Sequence, residues 1–418
     1  MKNKKKLYLL SLGCPKNLTD SEHLMATLRK GITEVDDPGE ADILLVNTCG
    51  FIEDAKKESI EEILKLSRLK DGDKKLLVMG CLSQRYGPQL KKELPEVDAL
   101  WGVDAGEEIA AYLGIEPNGG LPRPSTFPYA YLKIAEGCKR RCTFCSIPAI
   151  RGPHRSFSPD EILREAEAYL KSGIKELILV SQDTACYDFK GYALPELLAD
   201  ISAIGGDFRV RVHYLYPSSV TEKLVETMAG KEKIMKYLDI PLQHSEERIL
   251  RMMGRGNTAR DLPKFIARLR RAMPGAALRS SFIVGFPGET EEEFRRLCDF
   301  MEEAAFEHAG AFMYSKEEGT QAATLKGQLP KAIKNRRYDE LMKLQARISL
   351  EKNMTLVGQK TRVLIDSTDG EVAIGRTGSQ SPDIDGVVFV RDAALKPGDF
   401  VEVLIKEAYD YDLLAEPI

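Results

Sequence analysis

Residues 131–145 read YLKIAEGCKRRCTFC, and the interpretation of the whole chain starts from this stretch. Tyr131 to Glu136 have the mostly apolar pattern of a buried strand. A loop with three cysteines, Cys138, Cys142 and Cys145, follows at once. Iron–sulfur clusters take cysteine thiolates as ligands, and three thiolates at this spacing can hold three irons of a 4Fe–4S cubane. The stretch therefore predicts a cluster with one open iron beside the end of a strand.

Two other interpretations of these thiols stay open at this point. A structural zinc site takes four ligands, usually in paired C-x2-C spacings or with histidine, and only His154 lies near enough to complete one. Scattered cysteines are otherwise buried structural thiols. Eight cysteines spread over 418 residues are typical of a reducing compartment, and they argue against a disulfide scaffold.

Five more strand-like segments follow this stretch, with helical patterns between them. Six βα units predict a barrel-like parallel sheet that is incomplete, because a full barrel has eight. Its active face is expected at the carboxyl ends of the strands. The five segments are Glu176–Gln182, Arg209–Tyr216, Lys236–Gln243, Leu278–Gly285 and Ala309–Tyr314.

Before this unit, three apolar runs each end in a cysteine, at Cys14, Cys49 and Cys81. Each run is followed by a helical pattern, as in repeated βαβ units. Right-handed crossovers place the carboxyl ends of such strands on one edge of an open parallel sheet. The three thiols are therefore expected to converge on one rim.

A third unit follows the basic helical stretch from Lys331 to Lys352. Its short β-like runs, separated by Gly, Pro and Asp, predict a small antiparallel β-barrel. The Gly- and Pro-rich segment from Asn118 to Pro128 reads as a linker between the first two units. The predicted α/β architecture therefore has an open parallel sheet, a partial (βα)6 barrel and a β-barrel, over residues 5–120, 124–354 and 357–418.

Composition excludes several classes of protein. Hydrophobic residues make up 43% and charged residues 30%, which is ordinary for a globular chain. The chain has 60 basic and 64 acidic residues, so its overall charge does not indicate a nucleic-acid binder. No apolar stretch approaches the ~18 residues of a membrane span. A cytoplasmic protein without a membrane partner is expected.

The C-x3-C-x2-C loop, with Phe144 before its last cysteine, resembles the signature of radical S-adenosylmethionine enzymes. In that family the open iron binds S-adenosylmethionine, and the reduced cluster cleaves it to a 5′-deoxyadenosyl radical. The resemblance implies S-adenosylmethionine as cofactor, with contacts from Phe144, Gln182 and Gly285. On the residues alone, Gln182 also reads as a strand-end cap, and Gly285 to Gly288 as an ordinary turn.

The order of the three units resembles the methylthiotransferases over essentially the whole chain. In that family, cysteines in the positions of Cys14, Cys49 and Cys81 hold a second 4Fe–4S cluster that takes part in sulfur insertion, and the last barrel is the TRAM module. The resemblance thus implies a transferase with two 4Fe–4S clusters. It assigns neither the sulfur donor nor the reductant.

Short motifs favour the branch of this family that modifies a ribosomal protein, the RimO type. That resemblance implies methylthiolation of the β-carbon of an aspartate in small-subunit ribosomal protein number twelve, at the decoding centre, with no direct tRNA substrate. The alternatives are a tRNA adenosine methylthiotransferase and a non-catalytic protein whose barrel binds the ribosome. The motifs are GCPKN (13–17), SQDT (181–184), YLYP (214–217), IPLQH (240–244), FMYSKEEG (312–319) and YDYD (409–412).

The charge of the last unit favours the same branch. Residues 357–418 contain six basic and twelve acidic side chains, a net charge of −6. A module that binds phosphates carries the opposite sign, whereas an acidic one suits a basic ribosomal protein. Asp383 and Asp385 are expected among the docking charges. The other interpretation is a solvated face that keeps the protein soluble.

Two cysteine triplets predict two clusters, and hence about eight irons per chain after anaerobic reconstitution. Replacing Cys138, Cys142 and Cys145 together by Ala should halve the iron and abolish cleavage of S-adenosylmethionine. The same change at the three early cysteines should also halve the iron but leave cleavage detectable. Full iron in the second triple variant would exclude the amino-terminal cluster.

Overall fold

The computed structural model describes residues 4–122, 127–256, 261–392 and 394–418. The described residues form an open α/β sheet, a partial barrel and a small closed barrel, in that order, so the predicted fold class is confirmed. Of the expected linker, residues 123–126 lie outside the described residues. Among the described residues, no helix combines the length and the apolar character that crossing a bilayer requires.

The first unit is a five-stranded parallel sheet with the strand order β2-β1-β3-β4-β5. Every residue of β3 is buried, because two separate apolar cores cover the two faces of the sheet. Pro88 lies inside α3, and Tyr86 has non-helical backbone angles, so that helix is kinked. The elements are β1 (Lys5–Ser11), α1 (Pro15–Leu28), β2 (Ile32–Glu34), β3 (Ile43–Thr48), α2 (Glu53–Ser67), β4 (Lys75–Gly80), α3 (Cys81–Glu93), β5 (Ala99–Leu100) and α4 (Gly106–Leu113).

The second unit consists of two three-stranded parallel sheets, β12-β9-β6 and β13-β14-β15, around the largest apolar core. Val210 in β12 bridges to Ile234 just before β13, and this bridge joins the two halves of the partial barrel. Six parallel strands are thus present, as predicted. The elements are β6 (Tyr129–Lys133), β7 (Ala135–Glu136), α5 (Ile147–Arg151), β8 (Arg155–Ser156), α6 (Pro159–Lys171), β9 (Glu176–Val180), β10 (Asp188–Phe189), β11 (Tyr192–Ala193), α7 (Leu194–Ala203), β12 (Arg209–Val212), α8 (Glu222–Gly230), β13 (Tyr237–Asp239), α9 (Glu247–Met252), α10 (Leu262–Ala272), β14 (Ala277–Val284), α11 (Glu291–Ala304), β15 (His308–Met313) and α12 (Lys331–Met354).

Strand β12 is shorter than the predicted segment, which extended to Tyr216. It ends at Val212 because Tyr214 has a φ of 59° and turns the chain out of the sheet. The prediction missed this turn, since neither glycine nor asparagine marks it.

The third unit is a closed barrel with the strand order β16-β17-β18-β20-β19. It was predicted to be antiparallel, but β18 and β20 pair in parallel. The parallel pair arises because the chain crosses from β18 to β19 before it returns as β20. The strands are β16 (Lys360–Thr368), β17 (Ala373–Arg376), β18 (Val388–Val390), β19 (Phe400–Ala408) and β20 (Leu413–Pro417).

Buried ion pairs attach the closed barrel to the partial barrel. Glu176, the first residue of β9, accepts from Arg211 Nε at 2.7 Å and from Arg376 Nη1 at 2.8 Å. Asp366 Oδ2 lies 2.6 Å from Arg376 Nε. Since buried charges are tolerated only when they are paired, this network couples the position of the closed barrel to the strands beneath it.

The expected role of Asp385 in docking a partner is wrong, whereas Asp383 is exposed and its expected role stays a prediction. The side chain of Asp385 is only 1% exposed and lies 3.3 Å from Arg279 Nε. It also accepts a hydrogen bond of 2.7 Å from the Tyr237 hydroxyl. Asp383 accepts at 3.3 Å from the hydroxyl of Tyr131. Both carboxylates therefore contact the partial barrel, but only that of Asp385 is buried in the interface.

Burial also reduces the charge that the closed barrel presents to solvent. Among its described residues, seven acidic and five basic ones are exposed. The net charge of −6 in the sequence is therefore mostly carried by residues that are partly or wholly buried, and it is a weaker argument for a basic partner.

Replacing Asp385 by Lys should lower the thermal midpoint of unfolding by roughly 5–10 °C, because breaking a buried ion pair costs about 3–5 kcal/mol. The matched control is the same reversal at Asp410, which is exposed in the same barrel and should change the midpoint little. Differential scanning calorimetry of both full-length variants tests this. Equal midpoints would contradict the structural role of Asp385.

Candidate functional site

The three early cysteines lie at the ends of three adjacent strands, β1, β3 and β4, as predicted. Cys14 precedes α1, Cys49 directly follows β3, and Cys81 is the first residue of α3. Gly13 has a φ of 91°, and a Cβ there would lie 2.9 Å from Cys49 Sγ. Only glycine therefore allows the segment that carries Cys14 to approach Cys49 this closely.

The second triplet lies in the loop after β7, at the carboxyl end of β6. The amide of Cys138 donates to the carbonyl of Gly152 at 3.1 Å, and the amide of Cys145 donates to the carbonyl of Cys142 at 3.1 Å. Thr143 is fixed from the other side, because its amide donates to the carbonyl of Met253 at 2.9 Å. The loop is thus held in place by backbone hydrogen bonds that leave the three thiols free of that task.

Burial makes the thiolate form of these cysteines unfavourable. It raises the pKa of Cys49 and Cys138, and it raises the pKa of Cys81 and Cys145 to about 12. Thiols that are buried and neutral in this way become thiolates when a metal binds them, since the metal supplies the positive charge.

The spacing of the sulfur atoms fits a cluster better than a single ion. Within the described residues, only the carboxylates of Asp20, Asp104 and Glu136 form a group whose ligand atoms all lie within 4.8 Å of one another. Neither cysteine triplet is that compact, whereas a zinc ion bound at ~2.3 Å needs its sulfurs ~3.8 Å apart. In a cubane each thiolate binds a different iron, which needs a wider spacing.

The compact carboxylate group is neutralised by side chains of the protein. Lys133 Nζ contacts Asp20 and lies 2.8 Å from Glu136 Oε2. Arg151 Nη1 lies 2.8 Å from Asp20 Oδ2 and 3.1 Å from Glu136 Oε2. Although burial favours its neutral form, Glu136 has a pKa of about 2 because of these two cations. Asp20 and Glu136 thus belong to a buried ion network, and the exposed Asp104 lies 3.7 Å from the same lysine, so protein cations take the place of a metal ion here.

This network connects the two triplets. Asp20 belongs to α1 of the first unit, whereas Arg151 ends the helix that follows Cys145. Arg151 Nη2 donates to Asn17 Oδ1 at 2.6 Å and to Cys81 Sγ at 3.4 Å. A side chain of the partial barrel thus contacts a thiol of the first sheet.

Further cations lie against two tyrosines in the segment after β12. Lys16 Nζ lies 3.5 Å from the ring centroid of Tyr214. The guanidinium groups of Arg140 and Arg255 lie 3.9 and 4.2 Å from the ring of Tyr216. Cations near the cysteines offset the negative charge that thiolates and clusters carry.

The three predicted S-adenosylmethionine contacts have different surroundings. Phe144 is partly buried against the main core. Gln182 Nε2 donates to Glu136 Oε1 at 2.9 Å, and its buried Oε1 has no partner among the described residues. Gly285 has a φ of 73°, and a Cβ there would lie 2.5 Å from Lys334 Cγ. Glycine is therefore required at 285 by the packing of α12, whatever its role in binding.

Three family descriptions match the chain. "Uncharacterized protein family UPF0004" matches residues 6–102, "Radical SAM superfamily" matches 132–301, and "TRAM domain" matches 357–418. These ranges correspond in order to the three units of the fold.

Curated relatives match nearly the full chain. The chain is 53% identical over 420 residues to "Ribosomal protein uS12 methylthiotransferase RimO" of Thermodesulfovibrio yellowstonii, covering 98% of the chain and 99% of the relative. It is 46% identical over 435 residues to the protein of that name in a Thermoanaerobacter species, covering 99% and 100%. The chain belongs to the RimO methylthiotransferase family. It is a radical SAM methylthiotransferase, and an iron–sulfur cluster and S-adenosylmethionine are its cofactors.

Solved structures support the fold. The radical S-adenosylmethionine methyltransferase TsrM from Kitasatospora setae matches with a TM-score of 0.55 and 15% identity, over 74% of this chain and 72% of that one. The cobalamin-dependent enzyme OxsB matches with a TM-score of 0.52 and 15% identity, over 84% and 56%. At this identity the likeness is one of fold alone.

Sequence reasoning did not identify Arg151 and gave no separate role to Lys16. Lys16 was visible only as part of the GCPKN motif. Arg151 had no signal at all, because its contact with Cys81 joins residues that are 70 positions apart.

Replacing Arg151 by Met should lower the free energy of unfolding by about 3–5 kcal/mol, because two buried carboxylates would then share one lysine. The control is Arg155→Met, whose side chain is 66% exposed. Urea unfolding of both variants measures the difference. If the two variants were equally stable, the buried network would not hold the first two units together.

Proposed function

We propose that this chain introduces a methylthio group at the β-carbon of an aspartate of ribosomal protein uS12, in the cytoplasm, with two 4Fe–4S clusters and S-adenosylmethionine. The observation that carries the proposal is the pair of cysteine triplets on the two sides of one buried interface. Arg151 follows one triplet in the chain and contacts the other through Cys81. Membership of the RimO family supports the choice of substrate.

The six cysteines divide into two ligand sets. Cys14, Cys49 and Cys81 would hold one cluster, and Cys138, Cys142 and Cys145 the other. The three sulfur atoms of each triplet are too far apart to bind one ion, and within the described residues no histidine completes a compact group with them. Both observations support clusters in both places. The second set shares its loop with Phe144 and precedes Gln182 and Gly285 in the chain, and it would hold the cluster that binds S-adenosylmethionine.

The chemistry explains why such a cofactor is needed. A β-methylene next to a carboxylate is not acidic enough for a general base at neutral pH. When bound, the cluster and S-adenosylmethionine supply a 5′-deoxyadenosyl radical, which can remove a hydrogen atom from an unactivated carbon. The protein holds the target carbon in place and excludes water from the site.

The hydrogen bonding of Gln182 is evidence for a polar ligand at the end of β9. Its Oε1 is a buried acceptor without a partner among the described residues, and such groups are costly when they stay unsatisfied. The amino group of the methionyl part of S-adenosylmethionine would satisfy it. Glu136 fixes the other end of the amide, since it accepts from Nε2.

Mass spectrometry of uS12 and of tRNA from a deletion strain tests the proposal. We expect uS12 from the deletion strain to carry hydrogen in place of the methylthio group, and a plasmid copy of the gene to restore the group. A copy with Cys138, Cys142 and Cys145 replaced by Ala should not. If uS12 were unchanged and methylthioadenosine disappeared from tRNA, the chain would instead modify tRNA.

A further inference from the structure

Lys16 is a buried lysine at the interface between the two cysteine triplets. It lies in the first turn of α1, two residues after Cys14, and is 9% exposed. Its side chain extends from the first sheet to the partial barrel, where its Nζ lies 3.5 Å from the ring centroid of Tyr214.

Other cations of this interface are paired with carboxylates. Lys133 and Arg151 pair with Asp20, and Arg140 Nε lies 2.8 Å from Asp183. Within the part of the chain that the structure describes, no carboxylate oxygen lies within 4.0 Å of Lys16 Nζ. A lysine is almost never buried to this extent without a partner, so Lys16 is suited to bind an anion from outside.

The carboxylate of Asp239, the last residue of β13, is held away from Lys16 by other partners. Tyr214 has a φ of 59°, which is unusual for a residue with a bulky side chain. Its amide donates to Asp239 Oδ2 at 3.0 Å, which holds this backbone in place. The other oxygen of Asp239 lies 3.2 Å from Arg279 Nη1. Asp239 is therefore already engaged by the Tyr214 amide and by Arg279.

We propose that Lys16 binds the side-chain carboxylate of the aspartate that is modified. This inference rests on the proposed function and names the residue that positions its substrate. Lys16 is two residues from Cys14 of the first triplet, and its ammonium contacts Tyr214. Tyr214 is two residues from Tyr216, which contacts Arg140 in the loop of the second triplet. A carboxylate on Lys16 would thus lie between the two triplets.

The same carboxylate chemistry is present in the methionyl part of S-adenosylmethionine. A lysine that bound this group would change the affinity for S-adenosylmethionine and its cleavage. A lysine that binds the substrate leaves both unchanged and decides between aspartate and its neutral analogues. The two sources are therefore separable by experiment.

The test uses the full-length, anaerobically reconstituted enzyme and two forms of uS12, with Asp or Asn at the modified position. We expect the wild type to bind the Asp form about tenfold to a hundredfold more tightly, since an ionic hydrogen bond is lost with Asn. Lys16→Met should bind both forms with equal, weak affinity. Its affinity for S-adenosylmethionine should stay at the wild-type value, and its iron content and thermal midpoint are measured to show that the clusters and the fold are intact.

The control is Lys57→Met in α2, where the side chain is 64% exposed, and it should keep the preference for Asp. Lys16→Arg should keep part of the preference, because the charge remains. A wild type without a preference for Asp would overturn the inference even if Lys16→Met failed to fold. So would a Lys16→Met enzyme that kept the preference, or one whose only change was in S-adenosylmethionine binding.

Failure of the inference and failure of the proposed function give different results. If the wild type left uS12 unmodified under reducing conditions with S-adenosylmethionine and a sulfide source, the proposed function itself would be wrong. If the wild type modified uS12 while Lys16→Met still distinguished Asp from Asn, only the role of Lys16 would be wrong.

Discussion

Four charged side chains buried between the first sheet and the partial barrel determine where the two cysteine triplets lie. Asp20 comes from the first unit, and Lys133, Glu136 and Arg151 come from the second. The two positive and two negative charges compensate each other only when the units are docked, because separation would leave a lone carboxylate on one side. Asp20 lies in the helix that follows Cys14, and Glu136 lies two residues before Cys138. The same ion network therefore fixes the positions of both cysteine triplets.

The third unit is attached by the same kind of interaction at the opposite, amino-terminal ends of the strands. Glu176 begins β9 and is shared by Arg211 and Arg376. In the same way, Asp385 of the closed barrel forms a buried ion pair with Arg279 in β14. The partial barrel therefore lies between two polar interfaces, and it carries its cysteine loop at one end and the closed barrel at the other. An arrangement of this kind suits the proposed chemistry, in which a carbon atom would be reached from two clusters.

The fold was predictable wherever local pattern and sheet topology decide the outcome. Cysteines that follow apolar strands meet on one rim, since parallel strands end at one edge. Prediction failed where a tertiary contact decides. No local pattern marks the turn at Tyr214, and the contact between Arg151 and Cys81 joins two units. The charge of the last unit was misinterpreted because the sequence does not show that Asp385 is buried. Its side chain is only 1% exposed.

Each of the first two units supplies charge to the other's site. Cys81 of the first sheet receives a guanidinium donor from Arg151 of the partial barrel. In return, Lys16 of the first sheet lies over Tyr214 of the partial barrel. Cations offset the charge of thiolate-bound clusters, and they also attract an anionic substrate. Without the partial barrel, the three early cysteines would therefore lack the guanidinium group of Arg151. Without the first unit, the partial barrel would lack the ammonium group next to Tyr214. The site is complete only in the docked chain.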